Sequence, residues 1–165
     1  WFAHQWSGIK PDVMTLAKGL GSGVPVGACL TAGRATGVFG PGNHGSTFGG
    51  NPLACTAGLT TIDVMLRDGL LDNAAARGVQ LREGLAAALA GVAGVVDIRG
   101  DGLMVGVELD RPCAELVGQA LAAGLLINVT AERVIRLLPP LTFTDADVTA
   151  LIDALAPLVR QFLSA

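Results

Sequence analysis

A chain of 165 residues, 51% of them hydrophobic and 15% charged, has enough apolar surface for a folded core and too few charges for a disordered one. Its net charge of −3 excludes the basic stripe of a nucleic-acid binder. No apolar run reaches the roughly 18 residues of a membrane span, so neither nucleic acid nor membrane is expected as a partner.

Residues 1–10 lack the charged start and apolar stretch of a signal peptide, and there is no initiating Met. The start falls in mid-pattern, as in a C-terminal fragment of a longer protein. Cys29, Cys55 and Cys113 are odd in number and widely spaced, with no CxxC pair and no neighbouring histidine. This favours reduced, buried thiols in a cytoplasmic protein over disulfides or a metal site.

In chain order, Val13, Met14, Leu16 and Ala17 form a short apolar run expected as a buried strand, with a helix as the competing reading. A glycine cluster around Pro25 leads into VPVGACLTAG, a second expected buried strand. A further cluster, around Pro41 and Asn43, precedes Asn51-Pro52, a capping side chain followed by a ring suited to the first helical position. Helical spacing then runs through Leu53, Ala57, Ile62 and Leu66, with Asp68-Gly69 as an interruption. It resumes through Leu81, Leu85 and Leu89 and ends near Gly91. VVDIRGDGLMVGVELD is expected to form two strands around Gly100 and Gly102. A short helix over 114–121 stops at Gly124, and strands follow at 125–129 and 134–138. The last helix opens at Thr144, with Asp147 in capping-box spacing, and carries the stripe Val148, Leu151, Ile152, Leu155, Val159 and Phe162. Pro157 is expected to kink it or break one turn. The pattern is mixed α/β, with a division near Leu66.

Few residues offer chemistry. Of the two lysines, Lys10 belongs to a polar loop, whereas Lys18 ends an apolar run and opens a glycine-rich turn. Such a lysine either snorkels to solvent or, once desolvated, serves as an amine nucleophile. GLGSGVPVG is a poor nucleotide loop, because a strand and not a helix N-terminus follows it. Ser46 and Thr47, set between glycines, combine hydroxyls with open backbone amides, as a phosphate or carboxylate contact would, or simply as a loop. His44 and His4 have no metal-ligand partners nearby. Arg136, inside an apolar strand pattern, calls for either an acid such as Glu108 or a bound carboxylate. Arg99 is expected to be structural.

Together TLAKGLGSGVPVGA, HGSTFGGNPLAC, RGDGLMVGVEL and VIRLLPPL resemble, in order and spacing, the class III (ornithine-type) aminotransferases, which have the fold type I pyridoxal-phosphate architecture. The resemblance covers nearly the whole chain. It implies an α/β fold in which residues 1–65 end the large cofactor-binding domain and residues 66–165 form the small C-terminal α/β domain. It implies pyridoxal 5'-phosphate as cofactor, carried on Lys18, the catalytic residue. It also implies a homodimer in which Thr47 contacts the phosphate of the neighbouring subunit's cofactor, Ser46 lies near the substrate, and Arg136 binds a substrate carboxylate. The middle residue of the usual glycine triplet is Ser22 here.

WFAHQ, HGSTFGGNPLAC and LLINVT…VIRLLPPL resemble in particular the acetylornithine and succinyldiaminopimelate group. That group passes a terminal amino group to 2-oxoglutarate, giving a semialdehyde and glutamate. Ornithine, succinylornithine and 4-aminobutyrate aminotransferases, glutamate-semialdehyde aminomutase and a truncated non-catalytic binding module are the alternatives. The acid for the pyridine nitrogen, the ring-stacking aromatic and the main phosphate loop are expected before Trp1, so this chain by itself is not expected to transaminate.

Overall fold

The computed structural model describes residues 1–164, in two compact units, Trp1–Gly69 and Leu70–Ala165. No described helix is long and apolar enough to cross a membrane.

The first unit contains α1 (Ala3–Trp6), strands β1 (Val13–Leu16) and β2 (Ala28–Thr31), and α2 (Pro52–Arg67). The two strands pair antiparallel, from Val13 opposite Thr31 to Leu16 opposite Ala28. Asp12 closes the open end of the pair. Its carbonyl accepts from the Ala32 N–H (2.8 Å), and its carboxylate accepts from the Arg34 backbone N–H (2.8 Å), Nε (3.0 Å) and Nη2 (2.7 Å). The Arg34 side chain, then its backbone N–H, hold the Asp12 carboxyl below the usual carboxylate range. Stability from this clasp is therefore present above the ordinary carboxylate pKa and lost as pH falls through the depressed one.

Both strands form where expected, but neither is buried, because they pair only with each other among the described residues and their faces stay open. Cys29 and Cys55 are likewise exposed here; only Cys113 is a buried thiol, and burial raises its pKa. His4 lies in α1, not in a loop, and its Nδ1 is 3.1 Å from the Ile9 carbonyl.

Between the strands, a 3-10 turn over Lys18–Gly21 rests on α2: Gly21 and Gly58 are buried, and the α2 residue Gly58 faces Leu20. Helix α2 begins as its sequence dictates. The Asn51 side chain accepts from the Ala54 N–H at 3.0 Å, with Pro52 in the first turn.

The second unit contains α3 (Leu70–Ala88), β3 (Val95–Asp101), β4 (Met104–Leu109), α4 (Glu115–Ala122), β5 (Asn128–Thr130), β6 (Val134–Leu137) and α5 (Asp145–Ser164). The strands form one antiparallel sheet in the order β3-β4-β6-β5. Val105, Val107, Leu109, Ile135 and Leu137 alternate onto one face. There they meet Leu81 and Leu85 of α3, Leu116 of α4 and Val148, Leu151, Leu155 and Val159 of α5 in a single core. The expected strand 125–129 pairs only from Asn128 onward; Leu126 is 90% exposed, outside the ladder. Gly124 terminates α4 with φ +82, the left-handed conformation that glycine adopts freely.

Helix α5 opens with the expected reciprocal cap. The Thr144 backbone N–H donates to the Asp147 carboxylate (2.9 Å), and the Asp147 N–H donates to the Thr144 hydroxyl (3.2 Å). Pro157 neither breaks nor ends the helix. It is exposed, as is Asp153, whose carbonyl would otherwise have bonded the missing N–H, so water can satisfy that group. The buried stripe on both sides of Pro157 holds the helix together.

Gly78 lets α3 approach the β3–β4 turn, since a Cβ there would overlap the Gly102 backbone. Alanine at position 78 gains about 1 kcal/mol of intrinsic helix propensity, whereas forced overpacking costs about 1–3 kcal/mol. Gly78→Ala is therefore expected to lower stability, as read from the urea midpoint; a raised midpoint would show that the close approach is not a constraint.

Ser22 predicts the opposite sign. It holds φ +46, and an L-residue in that region is strained by roughly 1–2 kcal/mol, so Ser22→Gly should stabilise the turn by up to about 1 kcal/mol once glycine's extra chain entropy is subtracted.

Candidate functional site

Lys18 is the first residue of the 3-10 turn and has φ +55. A long L-side chain in the left-handed region is uncommon and costs about 1–2 kcal/mol. Gly19, beside it, would have carried such a conformation without strain. A residue kept in an unfavourable backbone state is a reason to look for a role for its side chain.

The Lys18 side chain is exposed. None of the ion pairs or side-chain hydrogen bonds among the described residues uses its amine. The desolvation expected from sequence is thus not provided by the first unit as described; what that unit does provide is a fixed backbone and an unengaged amine. Lys10 is an exposed loop residue.

The segment 44–51 forms the lead-in to α2. The Gly49 N–H bonds the Ser46 carbonyl (3.2 Å), and the Asn51 N–H bonds the Phe48 carbonyl (3.3 Å). The Asn51 side chain works in two directions, donating Nδ2 to the Phe48 carbonyl at 2.9 Å while its Oδ1 caps the helix. Ser46 and Thr47 therefore sit in a turn pinned to a helix N-terminus, both exposed. A cavity of about 810 Å³ brings Ser46 and His44 together with Leu16 and Leu20, which flank Lys18; Lys18 and Thr47 are not in its lining.

An amine free of acids and two hydroxyls on a pinned turn form a donor set that fits an aldehyde bearing a phosphate. Of the acids in this unit, Asp12 and Asp68 are taken by Arg34 and Arg67, and Asp63 is exposed on α2. None is poised to hold a pyridinium nitrogen. The described residues contain no His, Cys, Asp and Glu cluster suited to a metal ion.

In the second unit, Arg136 lies on β6 but is not buried. It alternates with Ile135 and Leu137 and faces outward from the sheet. Glu108, its possible structural partner, is used otherwise: its two oxygens accept from Arg99 (2.6 Å) and Arg133 (2.8 Å). Arg99 also binds Asp97 (2.9 Å), so its role in this unit is an ion pair within the sheet. Arg136 has no ion pair or hydrogen bond among the described residues. What sequence reasoning missed is this allocation. Two neighbouring arginines absorb the acid, and the third guanidinium is left unengaged.

Comparison with known proteins agrees with these features. The Aminotransferase class-III family matches residues 1–159. The chain is 59% identical to acetylornithine aminotransferase 1 of Bordetella parapertussis and 52% identical to acetylornithine aminotransferase of Nitrosomonas europaea, in each case over 99% of this chain and 42% of the relative. Among solved structures it is similar to ornithine aminotransferase of Toxoplasma gondii (TM-score 0.90, 33% identity, 99% of this chain and 40% of that one), whose structure contains PLP at partial occupancy in the active site. It is also similar to acetylornithine aminotransferase of Elizabethkingia anophelis (TM-score 0.86, 30% identity, 97% of this chain and 43% of that one). The chain spans less than half the length of these relatives, and it belongs to the class-III aminotransferases, a pyridoxal-phosphate-dependent family of fold type I.

Proposed function

We propose that this chain supplies the cofactor lysine and the carboxylate clamp of an aminotransferase that moves the terminal amino group of N-acetylornithine, or of succinyldiaminopimelate, to 2-oxoglutarate. The observation that carries the reading is Lys18: an exposed, unengaged amine held at φ +55 at the end of β1. In this reading residues 1–65 belong to the large cofactor domain and residues 66–165 to the small one. The protein works in the cytoplasm as a homodimer with a site shared across the interface.

Bound pyridoxal phosphate would supply the electron sink for breaking a bond at the amine-bearing carbon. The residues of this chain do the rest. Lys18 Nζ would hold the cofactor and, as a free amine, would carry a proton away from and back to the reacting centre. The strained backbone of the turn limits where Nζ can reach, which is a positioning effect. Thr47 Oγ1, on its pinned turn, would donate to the phosphate of the partner subunit's cofactor, and Ser46 would lie near the substrate. Arg136 offers two parallel N–H groups to a substrate carboxylate. The names of the relatives at 59% and 52% identity support N-acetylornithine as donor. The ornithine aminotransferases among the structural neighbours support ornithine as the second reading, and kcat/KM for the two donors separates them.

Borohydride reduction of the full-length holoenzyme, followed by peptide mapping, is expected to find the pyridoxyl group on Lys18. A label on Lys10 with Lys18 unmodified would refute the assignment. For Arg136→Lys, losing the planar fork is expected to remove about 1.5–3 kcal/mol of charge-assisted bonding. That corresponds to a roughly ten- to hundredfold fall in kcat/KM with the fold intact. An unchanged kcat/KM for both the amino donor and 2-oxoglutarate would end this role.

A further inference from the structure

The sheet register sets Arg99, Gly106, Arg136 and Asn128 side by side in one row crossing all four strands. The row lies on the face away from the core, because Val105, Val107, Ile135 and Leu137 take the other. Arg99 is engaged by Asp97 and Glu108. Arg136 and its cross-strand neighbour Asn128 are both exposed, and no hydrogen bond among the described residues uses either side chain. On the other flank of Arg136 stands Gly106, which has no side chain, so the row has a gap beside the free guanidinium. The space over Gly106 is bordered by Val134, whose Cγ1 would lie only 3.3 Å from a Cβ at that position, so a side chain there would be crowded.

We propose that Asn128 is a second contact for the carboxylate bound by Arg136, and that Gly106 is the floor that lets the carboxylate settle between strands. The inference rests on the reading of Arg136 given above. A carboxylate has about four lone-pair sites, of which a guanidinium fork fills two. Opposed residues of an antiparallel pair have Cβ atoms about 4.5–5.5 Å apart, within reach for the Asn128 amide to donate to a third. Neutrality matters as much as the donor. An acid at position 128 would pair with Arg136 across the strands and occupy the fork, whereas asparagine leaves the positive charge available. The substrate class is thus an α- or ω-carboxylate, with one oxygen read by an amide beside the guanidinium.

Asn128→Asp separates binding from folding, because a cross-strand pair of opposite charges does not destabilise a sheet. In the full-length holoenzyme, glutarate affinity measured by calorimetry, KM for 2-oxoglutarate, and Tm are read together. The expected result is roughly tenfold or more weaker glutarate binding and a matching rise in KM, from like-charge repulsion and loss of the free fork. The Tm is expected to be unchanged or raised. Asn128→Leu, which removes the amide without adding charge, should weaken binding by roughly three- to tenfold.

Glutarate affinity within about twofold of the unmodified enzyme in both variants would overturn the inference while leaving the Arg136 reading standing. An unmodified enzyme that binds no glutarate and transaminates no 2-oxoglutarate would overturn that reading, and this inference with it.

Discussion

The alternation of β4 and β6 is the constraint on which the second unit depends. Because side chains repeat every second residue along a strand, placing Val105, Val107, Ile135 and Leu137 in the core leaves Gly106, Glu108 and Arg136 no choice but the other face. A slip of one residue would bury the guanidinium and expose the leucine. Helices α3 and α5 prevent it by filling the inner face with Leu81, Leu85, Leu151 and Leu155. The exit from β6 is held as well: the Asn73 side chain donates to the carbonyls of Leu141 (2.8 Å) and Phe143 (3.0 Å). Arg77 and Gln80 both donate to the Asp145 carboxylate at the start of α5. Helix α3 thus fixes the segment that follows Arg136 without touching the arginine itself.

Lys18 is held by a different device. It and Ser22, at φ +55 and φ +46, bracket one 3-10 turn. Two left-handed L-residues within five positions cannot be a local preference of the chain, so the contacts around the turn must impose them. Those contacts come from α2, where Gly58 lies against Leu20. The same helix receives its N-cap from the turn carrying Ser46 and Thr47. One helix therefore orders both the Lys18 turn and the Ser46–Thr47 turn.

Much of this was legible in the sequence, for physical reasons that differ from element to element. The Asn51-Pro52 start and the Thr144–Asp147 cap were readable because capping needs only neighbours in the chain. The stripe on α5 was readable because burial on one helix face repeats at a fixed period. Burial of β1 and β2 was misjudged, since apolar composition gives the demand for burial and not its supply. Pro157 was over-weighted, because the carbonyl it orphans faces water. The expectation that Arg136 needed a partner assumed a two-sided strand environment, whereas this sheet covers one face only. Lys18 was singled out by its glycine setting and by the family motif, but its left-handed backbone carries no signal in composition. The contest of Arg99, Arg133 and Arg136 for Glu108 depends on register, which pairs residues far apart in sequence.

The two units differ in how far each buries a core of its own. In the first, Ala54 is the only buried hydrophobic side chain among the described residues, while Phe48 and Leu53 beside the Ser46–Thr47 turn are 81% and 73% exposed. A unit of that size with so little buried apolar area falls short of offsetting the entropy of ordering its backbone. The second unit has a closed core of its own and carries its polar residues on a sheet face that the core does not need. A change on that face, at Arg136 or Asn128, therefore leaves folding largely alone. A change around Lys18 acts on backbone strain and packing together, because the turn that presents the amine also packs against α2 within the first unit. Side chains on the sheet face can change at little structural cost, whereas the lysine turn is bound to its sequence by backbone strain and packing at once.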